Sequence, residues 1–159
     1  MSEFTLREIR QKIENFCAYQ ERCHKEVSEK LRGFGLNERD SAEIITHLIQ
    51  NNFLNEERFA RAFARGKHRI KHWGRNRIVN ELKMRDISQY NINAALKEIE
   101  AEDYEGNFDS TALKHWQSIN ESNAMKKRKK FCDFLLRKGF ESDMIYEKLK
   151  ELESADHSR

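Results

Sequence analysis

The feature that most constrains this chain is a four-point pattern that occurs three times. An apolar residue is followed four places on by leucine, four further by a turn residue, and at once by another apolar residue. The copies read Val27-Leu31-Gly35-Leu36, Ile78-Leu82-Asp86-Ile87 and Phe131-Leu135-Gly139-Phe140. Their leucines stand roughly 50 residues apart, a period that belongs to tandem arrays of supersecondary units. In the second and third copies Ile92 and Leu96 correspond to Ile145 and Leu149, whereas the first copy carries extra residues before Ile44 and Leu48.

Each copy reads as a helix, a tight turn and a second helix. Gly35 and Gly139 stand where a helix end asks for a left-handed residue, which glycine adopts without steric cost. Asp86 holds the equivalent place less comfortably. Asn37, Ser88 and Ser142 follow as N-caps for the next helices. A further helix precedes each copy, over 9–20, 56–71 and 108–119. Its apolar stripe is Ile9, Ile13, Phe16 and Cys17, then Phe59, Phe63, Gly66 and Ile70, then Ala112, Leu113, Trp116 and Ile119.

The expected fold is therefore all-α. It comprises three tandem three-helix, helix-turn-helix-like repeats over 9–53, 55–101 and 107–152, with 153–159 a disordered tail. Units of this size bury little surface alone, so stacking should give an elongated, curved array. The 159 residues include no proline, and 38% are hydrophobic against 36% charged, which leaves a thin core.

Net charge is only +3, but its distribution is uneven. The stretch 59–80 holds seven Arg or Lys residues and no acid, and Lys126-Lys127-Arg128-Lys129-Lys130 forms a second basic block. Acids gather at 98–109 and near the C-terminus. Such asymmetry points to a polyanionic partner, although basic helix faces also serve simply as solvated surface. Cys17, Cys23 and Cys132 make no CxxC pair and read as reduced thiols. The opening MSEFTLREIR lacks the apolar core of a signal peptide, and no stretch approaches the ~18 apolar residues of a membrane span. The expectation is a soluble, cytoplasmic protein.

The stretch 52–87, NFLNEERFARAFARGKHRIKHWGRNRIVNELKMRDI, resembles the central signature of the RecX family. The residues that carry the likeness are Phe53-Leu54-Asn55-Glu56-Glu57, Phe59-Ala60, and Gly74, Arg77, Ile78, Glu81 and Leu82. The C-terminal LLRKGFESDMIYEKL, residues 135–149, is similar to the family's third repeat. Two departures stand out: Asp86 replaces the usual glycine, and the first repeat matches only in general pattern. The resemblance implies a regulator that binds in the helical groove of a RecA–DNA filament; a monomer is the separate expectation for the chain itself. It would inhibit the recombinase, ATPase and coprotease activities of RecA and so modulate DNA repair, recombination and the SOS response. The alternative is a helical protein that grips single- or double-stranded DNA directly, without RecA.

Candidate contact residues follow the basic runs. On the helix beginning near Phe59, Arg61, Arg65, His68, Arg69 and His72 are expected on one face, opposite Phe59, Phe63, Gly66 and Ile70. Lys67, Lys71, Arg75 and Arg77 extend that patch, with Trp73 interleaved as a stacking or core residue. Lys126, Lys127, Lys129 and Lys130 form a second candidate patch, since each neutralised phosphate releases counterions. For the first patch contact is the favoured reading over solvated helix surface; the second can equally be read as solvated surface.

His68 and His72 are four apart, but Arg69 stands where a zincin motif needs glutamate and no third ligand is near. Glu56-Glu57 lies in a first helical turn, where acids favour the helix dipole. No Walker motif, nucleophile elbow or dinucleotide fingerprint occurs. A non-enzymatic protein without metal or cofactor is the expectation.

Overall fold

The computed structural model describes residues 4–158, and among these it contains nine helices and no strand. In chain order they are α1 (Leu6–Tyr19), α2 (His24–Gly33), α3 (Glu38–Gln50), α4 (Glu56–Lys71), α5 (Arg75–Met84), α6 (Gln89–Leu96), α7 (Ala101–Ser118), α8 (Ala124–Lys138) and α9 (Ser142–His157). The fold is an all-α helical repeat of three successive helix triplets. Compact packing divides the chain differently from the triplets. One unit is Met1–Phe63 with Leu82–Ala95, and the other is Ala64–Glu81 with Leu96–Arg159. Both α4 and α5 therefore contribute residues to each unit.

In the first unit, Thr5 starts α1 by accepting the Glu8 N–H on its hydroxyl oxygen, which satisfies one of the helix's orphan donors. Ile9, Ile13 and Cys17 then recur along one face of α1. They pack with Val27 and Leu31 of α2, Ile44 and Leu48 of α3, and Leu54. Leu31 and Leu48 are fully buried. Truncating either to alanine should cost about 2–5 kcal/mol, the range for a leucine cavity in a close-packed core.

The second unit is held by rings. Phe140 meets Tyr104 at 5.6 Å and Phe108 at 5.1 Å, while Trp116 meets Phe131 edge-on at 5.5 Å. Leu135, Ile145, Ile78 and Ala64 are also buried here. Helices α7, α8 and α9 all pack on one another around this core.

The repeated turns have the expected chemistry. Gly35, Asp86 and Gly139 all carry positive φ, at 77°, 58° and 99°. In the second and third copies the apolar residue after the turn bonds back to the anchoring leucine. Ile87 N–H donates to the Leu82 carbonyl at 3.1 Å, and Phe140 N–H to the Leu135 carbonyl at 3.2 Å. Both side chains are buried, which plugs the gap between helices. The first copy differs: Gly35 N–H bonds to the Arg32 carbonyl, and Leu36 is only half-buried. Asn52 and His72 are two further left-handed helix ends that the repeat pattern does not announce.

Asn37 caps α3 and Ser88 caps α6, through the N–H groups of Asp40 and Asn91. Ser142 does not cap α9; it is the first helical residue, and Glu141 occupies the cap position.

Two further expectations are corrected. The inward face of α4 is Phe59, Ala60, Ala64 and His68, whereas Phe63 and Gly66 are half-buried and Ile70 is 75% exposed. Small residues therefore share the buried stripe with Phe59 and His68, in place of the larger Phe63 and Ile70. Residues 153–157 are not a disordered tail but the last turns of α9. Glu153 accepts from Arg128 Nε at 2.6 Å and Asp156 accepts from Trp116 Nε1 at 3.0 Å, ties that hold an otherwise polar helix end.

Candidate partner-binding site

The structure sorts the basic residues by what each already touches. Arg61, in the first unit, stands 3.4 Å from Glu57 one turn back on α4. The rest belong to the second unit. Arg65 pairs with Glu98 at 3.3 Å, Arg75 with Glu141 at 3.7 Å, Lys127 with Asp156 at 3.9 Å, Lys129 with Asp133 at 2.7 Å and Lys130 with Glu121 at 3.4 Å. Exposed pairs of this kind are worth only about 0–1 kcal/mol and exchange readily for another anion. They nevertheless lower the local positive potential.

His68 is a correction. It is 4% exposed, stacks on Tyr104 at 5.3 Å, and its Nδ1 donates to the Trp73 carbonyl at 2.9 Å. Its other ring nitrogen, Nε2, meets the Asn107 amide at 3.2 Å. A ring with both nitrogens engaged inside the core cannot contact a partner.

His72 is a second correction. It lies beyond the end of α4 with φ of 58°, so the helical spacing that placed it beside Arg65 and Arg69 no longer applies. Its Nδ1 donates to Asn107 Oδ1 at 2.9 Å. Asn107, which the sequence did not single out, thus joins both histidines and also donates to the His68 carbonyl at 2.8 Å.

Arg75 is chiefly a structural residue. Its guanidinium lies 3.8 Å from the Tyr104 ring centre, and its backbone N–H donates to the Tyr104 hydroxyl oxygen. That hydroxyl donates in turn to Glu141 at 2.6 Å. Burial, and then the bond to Glu141, push the Tyr104 hydroxyl well above the usual phenol range, so it remains a donor at every physiological pH.

A different group forms where the α4–α5 connection packs on the α8–α9 turn, within the second unit. Gly74 N–H donates to the Lys138 carbonyl at 2.7 Å and Asn76 N–H to the Gly139 carbonyl at 2.9 Å. Around this seam side chains cap the C-terminal ends of both α4 and α8. Lys138 Nζ donates to the Lys71 carbonyl at 2.8 Å, and Arg77 to the Arg137 carbonyl at 3.3 Å. Cations favour such carbonyl-rich helix ends.

Arg77 also lies 4.2 Å from the centre of the Trp73 ring, with Lys67 at 5.1 Å. Burial pulls the Lys138 amine below its ordinary value, and the neighbouring Arg77 and Lys71 charges add to that effect. Among the described residues none of Lys71, Arg77, Arg137 and Lys138 has a carboxylate within ion-pair distance. Sequence reasoning found Lys67, Lys71 and Arg77 but missed Arg137 and Lys138. These stand some sixty places away in the chain and flank a glycine turn rather than a basic run.

Arg69 and Lys126 are exposed and likewise carry no ion pair among the described residues. No group of three or more metal-ligating side chains occurs among the described residues, and no described helix is long and apolar enough to cross a membrane.

Comparison with known proteins adds the following. The family model described as RecX, second three-helix domain, matches residues 55–96, and that described as RecX, third three-helix domain, matches residues 103–149. The Regulatory protein RecX of Bacillus cytotoxicus is 27% identical over 146 residues, covering 91% of this chain and 54% of that protein. Its namesake in Prosthecochloris aestuarii is 26% identical over 152 residues, covering 96% of this chain and 98% of that one. The chain thus spans about half the length of the Bacillus relative and nearly all of the Prosthecochloris one. The crystal structure of RecX from Lactobacillus salivarius superposes with a TM-score of 0.77 at 26% identity, over 93% of this chain and 96% of that chain. A second RecX crystal structure, 20% identical, shares the fold with a TM-score of 0.79, over 92% of this chain and 71% of that chain.

Proposed function

The chain belongs to the RecX family, and from that premise we propose that it is a regulatory protein that binds the RecA–DNA filament and inhibits it. On this reading the chain acts as a cytoplasmic monomer, lies in the filament groove, and suppresses strand exchange, ATP hydrolysis and coprotease activity. It thereby tempers DNA repair and the SOS response. The observation that carries the reading is the coincidence of the family match with the basic surface. Arg69, Lys71 and Arg77 lie within 55–96, and Lys126 and Arg137 lie within 103–149. These five side chains have no carboxylate partner among the described residues, so they present net positive charge to a polyanionic assembly.

The fold offers this surface rigidly. The seam between the α4–α5 connection and the α8–α9 turn is locked by main-chain bonds, so binding need not order a mobile loop. Any effect on ATP hydrolysis would be exerted on the active site of RecA.

ATP hydrolysis by RecA on single-stranded DNA, with this protein titrated in, tests the proposal. Suppression at well below one molecule per RecA subunit is expected of a ligand that acts on a filament. Unchanged hydrolysis at excess protein, with DNA not limiting, would overturn it in favour of the RecA-independent alternative.

A further inference from the structure

The side chain of Asn107, on α7, has its whole hydrogen-bonding capacity engaged within the second unit. Its Nδ2 donates to the His68 carbonyl at 2.8 Å and to His68 Nε2 at 3.2 Å. Its Oδ1 accepts from His72 Nδ1 at 2.9 Å and from Thr111 Oγ1 at 3.2 Å. A primary amide has two N–H donors and two carbonyl lone pairs, and here each is occupied. The His68 carbonyl can only accept, so the amide nitrogen must face it. The amide oxygen then faces His72, which fixes that ring in its Nδ1–H form. His68 takes the same form, because its Nδ1 donates to the Trp73 carbonyl and leaves Nε2 to accept.

These bonds converge on the segment that leaves α4. The His68 carbonyl also accepts the His72 N–H at 3.1 Å, which closes the last turn of the helix. His72 then turns left-handed, with φ of 58°, a conformation in which a side chain crowds the backbone. Two residues on, the Gly74 N–H is held by the Lys138 carbonyl. Asn107 therefore grips, from another helix, the strained residue that lies between the end of α4 and that anchor.

We infer that Asn107 is a positioning residue: acting through His68 and His72, it sets the path of residues 72–74 and with it the placement of Lys71 and Trp73. The inference rests on the filament reading, which makes this connection part of the binding surface. The chemistry asks for an amide, since one group must donate to His68 and accept from His72 in the same plane. Aspartate would turn an oxygen toward the His68 carbonyl and Nε2, where a donor is needed. A connection that is no longer held samples other paths, and affinity falls with the share of molecules in the held one.

Co-sedimentation with RecA filaments tests this, with circular dichroism verifying that each variant is folded. Asn107→Ala should bind roughly tenfold more weakly, as when about one molecule in ten keeps the held path. Combining it with His72→Ala should add little to the loss, because the two residues act through one bond. Asn107→Asp keeps the acceptor for His72 but not the donors for His68, and should fall between the parent chain and Asn107→Ala. Nitrogen-15 spectra of the imidazole rings should show the Nδ1–H form of His72 in the parent chain and its loss in Asn107→Ala. The control, Asn37→Ala, removes the cap of α3 and so lowers stability away from the connection; it should bind as the parent does.

A folded Asn107→Ala chain that binds like the parent, or that keeps the His72 signature, would overturn the inference. So would an equal loss of binding in Asn37→Ala, which would reduce the effect to general destabilisation. A parent chain that does not sediment with filaments would remove the filament reading and this inference together, whereas equal binding by parent and variant removes the inference alone.

Discussion

Gly74 and Gly139 are pressed together so closely that neither has room for a side chain. A Cβ on Gly74 would collide with the main chain of Gly139 and Phe140, and one on Gly139 would collide with Arg77. The two glycines are far apart in sequence, yet they form the seam on which the candidate cation cluster is built.

Gly74→Ala is expected to destabilise the protein by about 1–3 kcal/mol, because backbone rather than a flexible side chain must move to admit the methyl group. Urea unfolding measures it. The same variant should weaken filament binding, since widening the seam displaces Arg77 and Lys138. An unchanged midpoint would show that the seam yields freely.

Asp86 pays for its place at the second turn, with φ at 58°, and its carboxylate gains little there because the nearest amine, Lys25, is 4.0 Å away on an exposed surface. Asp86→Gly should raise stability by about 0.5–1 kcal/mol, the left-handed strain outweighing the greater freedom of glycine in the unfolded chain. Gly35→Ala should do the reverse by about 1 kcal/mol, through φ alone, since open space surrounds that Cβ position. Thermal midpoints of the two variants should move in opposite directions.

Removing residues 153–159 should lower stability by about 1–2 kcal/mol and shift tryptophan emission, because the Arg128–Glu153 and Trp116–Asp156 hydrogen bonds are lost together. A truncated chain with the parent's midpoint and spectrum would mean that the end of α9 contributes nothing.

The three thiols should differ in reactivity. Cys17 and Cys23 are buried and Cys132 is half-buried, so a thiol reagent at pH 8 should modify Cys132 first and the others only on unfolding. Burial pushes the Cys23 thiol up to about 11 from an ordinary 9.0. The folded chain therefore holds that proton where the unfolded chain releases it. This contribution to stability is complete below pH 9 and is lost as pH rises through about 11. Cys23→Ala should show a shallower decline of the urea midpoint across that interval.

Arg65 and Arg69 should separate binding from folding. Arg69→Glu is expected to weaken filament binding severalfold with unchanged stability, as its side chain has no ion pair among the described residues. Arg65→Glu places like charges at Glu98 and should cost stability as well, by about 0.5–1 kcal/mol. Co-sedimentation with RecA filaments, read beside urea melts, distinguishes the two.

The sequence alone determined the helices and the repeated turns, because those rest on local rules. Leucine anchors at helical spacing, glycine or aspartate at a left-handed end, and Asn37 or Ser88 as caps act within a few residues of chain. It also located the charge, since an acid-free run is visible in one dimension. It could not tell which cations remain unpaired. Arg65 is neutralised by Glu98 and Arg75 by Glu141, partners brought close only by folding.

Nor could it tell that His68 turns inward while Ile70 turns out. Ala60 and Ala64 are fully buried on α4, yet hydrophobicity alone ranks the exposed Ile70 above them. The grouping of Lys71, Arg77 and Lys138 was decided by tertiary structure entirely. It exists because two glycines let a loop and a helix end meet, and that contact is written in neither segment by itself.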